Sequence, residues 1–299
     1  MKSRNYAGIS LLASLAACNS ATAETVQKNS TQAPQKPNVI VILADDLGYG
    51  DLKCYGAKNV ETPHVDKLAS EGIRFTNAHT VAATSTPSRY SLLTGEYAWR
   101  RPDTDIAAGD VKMIIRPEQY TMADMFKSAG YATAAIGKWH LGLGDKTGGQ
   151  DWNAPLPAAL GDLGFDYHYI MAATADRVPC VFIENGKVAN YDPSDPIEVS
   201  YTKNFPGEPT GKDNPELLYN LHPSNGHDMS IVNGISRIGF MKGGGKALWK
   251  DENIADSITP FMPSTLSNSI KTSLSLCILQ PMMYTFLVFP MTASVERIL

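Results

Sequence analysis

Continuous apolar runs predict two strands in the first half of the chain. Asn38–Ala44 is rich in Val and Ile and is followed by two Asp residues, and Tyr131–Ile136 has the same apolar character. Strands that are apolar on both faces are typical of a parallel sheet covered by helices on both sides. Ligands of such sheets bind beyond the carboxyl ends of the strands, which is where the two Asp residues fall.

Helix signals lie between these runs. Thr62–Gly72 predicts a helix with Thr62 as the N-cap residue, Pro63 at the first helical position and Gly72 at the end. A second helix is predicted to begin at Ser85. A third, amphipathic helix is predicted over Thr121–Ala129, directly before a glycine.

The alternation of strands and helices predicts an α/β fold, with a doubly wound, mostly parallel sheet flanked by helices. Ile73–Ala78 is predicted as a further short strand. Between Lys146 and Trp249 the chain is rich in Gly, Pro, Asn and Asp, which favours loops over regular elements.

Length and charge narrow the class of protein. A chain of 299 residues is long enough for a substantial core in one or two domains. Its formal net charge of -4 gives no basic footprint, so we expect no nucleic-acid partner.

The N-terminus has the composition of an export signal. Basic residues precede the short apolar run Gly8–Ala17, which is too short to span a membrane. Leu15–Cys18 resembles a bacterial lipobox, which implies lipidation of Cys18 and an exported lipoprotein of the bacterial cell envelope, in the periplasm or at the outer membrane. Residues 1–18 would be the signal peptide and 19–36 a flexible tether. The alternative is a plain signal peptide with an incidental Cys.

A candidate anion site begins at the second predicted helix. In Ser85-Thr86-Pro87-Ser88-Arg89 the first hydroxyl lies at the positive end of the helix dipole. Arg89 follows one helical turn later, on the same face. This arrangement suits a negatively charged group.

Three sequence blocks together resemble the sulfatase family. Ser85–Arg89 is similar to its C/S-x-P-S-R signature, and the resemblance extends to Asn38–Gly48 upstream and Gly137–Gly142 downstream, in the family's order. The resemblance implies an arylsulfatase-like, Ser-type sulfuric ester hydrolase of the alkaline phosphatase superfamily. It also implies oxidation of Ser85 to formylglycine (3-oxoalanine) by an anaerobic, radical-type sulfatase-maturating enzyme.

The same resemblance implies a calcium ion held by Asp45, Asp46 and the modified Ser85. Paired carboxylates at a strand end suit a hard divalent cation. Without the Ser85 motif, an Asp-Asp turn that binds no metal would be the simpler interpretation.

The anion-binding groups implied by the resemblance are Arg89, Lys138 and His140. Arg89 would hold the hydrated aldehyde and balance its charge. Lys138 would bind a sulfate oxygen as its negative charge grows, and His140 would hydrogen-bond the hydrated aldehyde or the sulfate.

The loop-rich region contains candidate substrate contacts. Segments 161–166 and 176–187 resemble the pocket-forming insert of arylsulfatase-like enzymes, so Asp176 and Arg177 are candidates to bind a sulfated carbohydrate or an aryl sulfate ester. A surface salt bridge between these two residues is an equal alternative.

The end of the chain departs from the family pattern. The family's A-T-H-D-x-H-V-P segment, its later D-N-G and a further lysine are absent from the sequence, and His227 is a weak substitute for the missing acid. The genetic code permits a choice of codons for the tail that, when read two nucleotides later, encodes A-T-H-D-V-H-V-P. We therefore predict that residues 37–259 are the N-terminal part of a sulfatase domain and that a frameshift near Thr259 makes 260–299 a non-family tail.

A frameshift predicts a sheet that is incomplete at the C-terminus and an inactive product. A membrane helix over Leu274–Met291 is the alternative for the tail. Two other functions stay open: a metal-dependent phosphatase or phosphonate hydrolase that uses unmodified Ser85, and a non-catalytic surface lipoprotein that binds sulfated glycans.

Overall fold

The computed structural model describes residues 36–258 and 275–280. The predicted signal peptide, Cys18, nearly all of the tether and most of the 260–299 tail lie outside the described residues.

The main sheet has six strands in the order β1-β10-β2-β3-β4-β5, parallel from β1 to β3 and antiparallel from β3 to β5. Two small antiparallel sheets pair β6 with β9 and β7 with β8. The strands are β1 (Val39–Ile42), β2 (Ala132–Lys138), β3 (Tyr167–Met171), β4 (Phe182–Glu184), β5 (Lys187–Val188), β6 (Glu198–Ser200), β7 (Ile231–Val232), β8 (Ile235–Ser236), β9 (Phe240–Lys242) and β10 (Ser275–Gln280).

Four α-helices lie in the described residues: α1 (Pro63–Glu71), α2 (Ser85–Thr94), α3 (Met122–Ser128) and α4 (Ile254–Ile258). Short 3₁₀ helices occupy Tyr49–Asp51, Lys53–Tyr55, Ala98–Arg100, Leu160–Leu163, Pro215–Leu217, Gly245–Ala247 and Asp251–Asn253. The predicted α/β class, with a mostly parallel sheet, is confirmed.

The helix boundaries follow the sequence signals. Helix α2 begins at Ser85 and ends at Gly95, whose left-handed backbone (φ 71°) donates its N–H to Ser91 O. Helix α3 begins after Thr121, whose hydroxyl and the Asp124 carboxylate form a reciprocal capping box. Thr62 precedes α1, but its hydroxyl accepts the Lys53 N–H instead of an N–H of the helix.

The predicted strand at Ile73–Ala78 is wrong. This segment is irregular, and Ile73 and Phe75 are 84% and 67% exposed. No strand in the described part of the chain pairs with it, and an apolar run without a partner strand or a covering layer gains too little to form a strand.

The tail contributes a strand that the sequence pattern did not predict. Ser275–Gln280 lies between β1 and β2, parallel to both, with Ile42 paired to Leu279 and Leu279 to Ile136. A membrane helix over Leu274–Met291 is therefore wrong at 275–280. Among the described helices, none is long and apolar enough to cross a membrane.

The core is concentrated around β2 and β3. Every residue of β2 from Thr133 to Lys138 is buried, as expected for a central strand. Strand β1 is an edge strand of the described sheet: Val39 and Val41 pack against the core, whereas Ile40 and Ile42 are 42% and 55% exposed.

Candidate active site

The ends of β1 and β2 and the start of α2 meet in one pocket. Lys138 is the last residue of β2, His140 follows it closely, and Asp45 follows β1. His140 is hydrogen-bonded to Ser85 of α2, and Asp45 is hydrogen-bonded to Arg89 of α2. Arg89 in turn donates to Ser85. The structure thus brings together five of the side chains that the sequence singled out, at the predicted edge of the sheet.

The Ser85 hydroxyl is held from two sides. Arg89 Nε donates to Ser85 Oγ at 2.9 Å, and His140 Nδ1 lies 2.9 Å from the same oxygen. Because Arg89 can only donate, the hydroxyl proton is free to point at His140.

The tautomer of His140 follows from its second contact. Its Nε2 lies 2.8 Å from the carbonyl oxygen of Ala107, which accepts only, so Nε2 carries the proton and Nδ1 is left as an acceptor for the Ser85 hydroxyl. Burial, reinforced by the charge of Lys138, lowers the pKa of His140 to about 3. The imidazole is therefore neutral at physiological pH, with its lone pair directed at Ser85.

Arg89 connects the helix to both strands. Its side chain is 1% exposed, and it donates to the Lys138 carbonyl at 3.0 Å and to Asp45 Oδ1 at 3.2 Å. Burial lowers the pKa of Arg89 although the Asp45 and Asp46 carboxylates oppose the shift. The guanidinium is fixed in place by acceptors at three of its nitrogens.

Lys138 and Asp45 form a buried ion pair. Lys138 Nζ donates to Asp45 Oδ2, and the lysine side chain is 4% exposed. Burial and the nearby charge of Arg89 lower the pKa of Lys138, against the effect of Asp45. Burial alone would raise the pKa of Asp45, but attraction to Lys138 and then to Arg89 outweighs it and lowers that pKa.

The predicted metal ligands fit a hard cation in kind but not in number. Asp46 has a left-handed backbone (φ 56°), and its charge acts on both Arg89 and Lys138, which places it beside Asp45. With Ser85 Oγ, these carboxylates are the oxygen donors that calcium prefers, but calcium takes roughly six to eight oxygens. Among residues 36–258 and 275–280, no group of three or more Asp, Glu, His or Cys side chains is placed so that it could hold a metal ion.

The Asp176–Arg177 pair is part of a second polar cluster. Arg177 Nη1 lies 3.1 Å from Asp176 Oδ1, Thr174 Oγ1 donates to the same carboxylate, and His227 Nε2 lies 2.9 Å from Oδ2. Burial opposes these contacts, yet Arg177, Thr174 and His227 together lower the pKa of Asp176. The Arg177 charge also acts on His140, so the cluster lies within electrostatic range of the Ser85 pocket.

Two residues of the site carry no strong sequence signal. Thr86 is fully buried; its Oγ1 donates to the His140 carbonyl at 2.9 Å and accepts the Ala107 N–H at 3.1 Å. The Ala107 carbonyl fixes the tautomer of His140, and a backbone group of a loop alanine cannot be found from a side-chain pattern. A hydroxyl within the Ser85–Arg89 motif was the only available hint for Thr86.

Comparisons with known proteins identify sulfatases as relatives of this chain. A family model described as sulfatase matches residues 37–223. N-acetylgalactosamine-6-O-sulfatase of Bacteroides thetaiotaomicron is 56% identical over 248 residues, which are 83% of this chain and 47% of that protein. Steryl-sulfatase of Mus musculus is 48% identical over 120 residues, 37% of this chain and 19% of that protein.

Solved structures share the fold. One, described as part of the metabolism of multiple glycosaminoglycans by Bacteroides thetaiotaomicron, superposes with a TM-score of 0.80 at 53% identity and covers 85% of this chain and 52% of that chain. Ps i-CgsB in complex with k-i-k-neocarrahexaose has a TM-score of 0.52 at 23% identity, over 85% of this chain and 46% of that chain, which is a likeness of fold alone. The chain spans about half the length of the first relatives it matches.

Proposed function

The chain belongs to the sulfatase family, and from that premise we propose that its Ser85 pocket is the sulfate-ester site of a carbohydrate sulfatase. The observation that carries the proposal is the placement of Ser85 Oγ, 2.9 Å from both Arg89 Nε and His140 Nδ1. A hydroxyl held between a fixed cation and a neutral base is prepared to act as a nucleophile.

Each charged or basic residue of the pocket has a separate role in the proposed reaction. His140 Nδ1 takes the proton of the hydroxyl at position 85, because its Nε2 proton is committed to the Ala107 carbonyl. Arg89 holds the oxygen in place and balances its charge. Lys138 lies close by and, once released from Asp45, donates to a sulfate oxygen as negative charge develops in the transition state.

Two groups that the family resemblance implies complete this proposal. An aldehyde made from Ser85 would, once hydrated, supply the nucleophile. It would be restored when sulfate is released at the end of each turnover. A calcium ion held by Asp45, Asp46 and residue 85 would polarise sulfate oxygens as a Lewis acid. The support for this site is that Arg89 donates both to Ser85 Oγ and to the Asp45 carboxylate, so both oxygens lie around one guanidinium.

The substrate proposed is a sulfate ester of a sugar. The relative with 56% identity is named N-acetylgalactosamine-6-O-sulfatase, and its alignment covers 83% of this chain. We propose that Asp176, oriented by Arg177 and His227, accepts hydrogen bonds from sugar hydroxyls. This places His227 in substrate positioning and not in the role of the missing acid.

The chain as it stands is proposed to be an incomplete and inactive member of the family, exported as a lipoprotein anchored at Cys18. The support for incompleteness is that codons permitted for the tail can encode A-T-H-D-V-H-V-P when they are read two nucleotides later. The nucleotide sequence tests it. If the +2 frame after Thr259 lacks A-T-H-D-x-H-V-P, the frameshift is rejected.

The modification is tested by mass spectrometry of the peptide that contains Ser85, after coexpression with an anaerobic radical maturase. We expect a loss of two hydrogens at Ser85. Thr80→Ala, an exposed position upstream of the Ser85–Arg89 signature, is the matched control and should keep the loss, whereas Ser85→Ala should abolish it. An unmodified Ser85 in a frame-repaired protein that hydrolyses phosphate esters would favour the phosphatase alternative.

A further inference from the structure

An exposed aromatic pair lies outside the Ser85 pocket. Trp99 and Tyr97 are 74% and 52% exposed, and their rings are stacked with centroids 5.8 Å apart and planes inclined by 26°. The guanidinium carbon of Arg100 lies 5.7 Å from the centre of the Trp99 ring. Large aromatic rings are normally buried, so a stacked pair facing solvent marks a binding surface.

Trp99 of this pair lines a cleft of about 310 Å³, and Tyr97 and Arg100 lie close to it in the sequence. The wall of the cleft includes Trp99, Arg101 and Asp105 and reaches Pro87, in the first turn of α2. A cleft of this size admits a single sugar ring, and its lining combines an apolar aromatic face with charged groups able to hydrogen-bond hydroxyls.

The segment that carries the aromatic pair is rigid. The Ala98 N–H donates to Ser91 Oγ of α2 at 3.2 Å, and Thr104 Oγ1 donates to the Ala98 carbonyl at 2.6 Å. Arg101 is bound by the Asp103 carboxylate through two of its nitrogens. A site fixed in this way loses little conformational entropy when a ligand binds.

From this geometry we propose that Tyr97, Trp99 and Arg100 form a secondary binding site for a sulfated glycan chain. The indole face stacks against the C–H face of one sugar ring, and Arg100 binds a sulfate or carboxylate of the chain. The choice of a sulfated glycan rests on the proposed function. Ser91 of α2 accepts the Ala98 N–H, and Pro87 of α2 lines the cleft. A bound chain therefore has a fixed position relative to Ser85.

The test is isothermal titration calorimetry with a chondroitin 6-sulfate decasaccharide and, separately, with N-acetylgalactosamine 6-sulfate. We expect Trp99→Ala to weaken decasaccharide binding about tenfold, the upper range of an aromatic stacking contact. Trp99→Phe should recover part of the affinity. Tyr120→Ala, which removes an aromatic side chain that is 63% exposed and lies outside the cleft, is the control and should change nothing.

The outcomes separate this site from the Ser85 pocket. Loss of monosaccharide binding in Lys138→Ala, together with decasaccharide binding that still depends on Trp99, supports the secondary site. The same dependence on Trp99 in a protein that never binds the monosaccharide refutes the proposed function and leaves the secondary site standing. Equal decasaccharide affinity in wild type and Trp99→Ala, or no binding to wild type, overturns the proposal.

Discussion

At the scale of single residues, the chemistry of the site depends on where protons and charges sit. His140 is neutral because it is buried beside a lysine, and its remaining lone pair faces Ser85. Asp45 is ionised because Lys138 and Arg89 surround it. Both states are set by the fold, so both connect stability to pH.

The low pKa of His140 predicts acid sensitivity. The unfolded chain takes up this proton near the ordinary value of 6.5, whereas the folded protein resists until about 3. Stability from this residue is therefore complete above about pH 6.5 and is lost as the pH falls toward 3. The free energy of unfolding, measured by urea titration, should fall less between pH 7 and pH 5 in His140→Gln than in wild type. The exposed His222→Gln is the control. If the free energy of unfolding of His140→Gln falls with pH as steeply as that of wild type, the low pKa of His140 is contradicted.

The buried ion pairs of Asp45 predict a large effect of one neutralised carboxylate. Asp45→Asn removes the carboxylate that pairs with two buried cations, Lys138 and Arg89. We expect a loss of about 3 kcal/mol in the free energy of unfolding, measured by urea titration. Lys53→Met breaks an exposed pair with Glu61 and should cost less than about 1 kcal/mol. Similar costs for the two variants would refute a buried charge at position 45.

At the scale of elements, the loop after β2 is fitted closely to its neighbour. A Cβ at Gly142 would lie 2.1 Å from the Lys112 carbonyl oxygen, and the backbone there is left-handed (φ 72°). This close approach holds the loop that carries His140 against residues 111–114, through hydrogen bonds such as Ile114 N–H to Leu141 O.

Gly95 offers a matched control for Gly142. Both glycines have left-handed backbones, φ 71° and φ 72°, but a Cβ at Gly95 would meet nothing within 4 Å. We expect Gly95→Ala to cost about 1 kcal/mol in the free energy of unfolding and Gly142→Ala clearly more. Gly142→Ala should also shift the NMR resonances of the His140 ring. Equal costs would show that the contact with Lys112 is not limiting.

Several elements were predictable because their signals are local. The cap at Thr121, Pro63 at the first helical position and the run Asn38–Ala44 depend on neighbouring residues only, and α1, α3 and β1 form where expected. The predicted cap at Thr62 is wrong, because its hydroxyl accepts the Lys53 N–H and no N–H of α1. Ile73–Ala78 failed because a strand needs a partner that the run itself does not specify. β10 was missed for the converse reason, since its place between β1 and β2 is decided by distant pairing.

The same distinction applies to the site. The motif around Ser85 and the residues after β2 identified most of the side chains that meet there. The contact of Ala107 with His140 and that of His227 with Asp176 join segments far apart in sequence, and no spacing rule predicts them.

At the scale of the whole molecule, the sheet has one uncovered face at β1. Ile42 is more than half exposed, whereas Val41, on the opposite face, packs against the core. The sequence predicted burial on both faces. The layer that would cover Ile42 is not formed by the described residues.

Substitutions on the two faces of β1 should therefore differ. Ile42→Thr should change the free energy of unfolding by less than about 0.5 kcal/mol, and Val41→Thr should cost about 1–2 kcal/mol. Binding of a dye specific for apolar surface should fall in Ile42→Thr. A large destabilisation by Ile42→Thr would mean that this face is covered in solution.

The buried hydroxyl of Thr86 affects how the site responds to movements of the surrounding structure. Its hydroxyl ties the first turn of α2 to the backbone of both His140 and Ala107, so the nucleophile and its base shift together as one block. Any small displacement of α2 is therefore passed on to the backbone that carries His140. We expect the spacing between the Ser85 hydroxyl and the His140 imidazole to depend on this one threonine more than on the layers that surround the sheet.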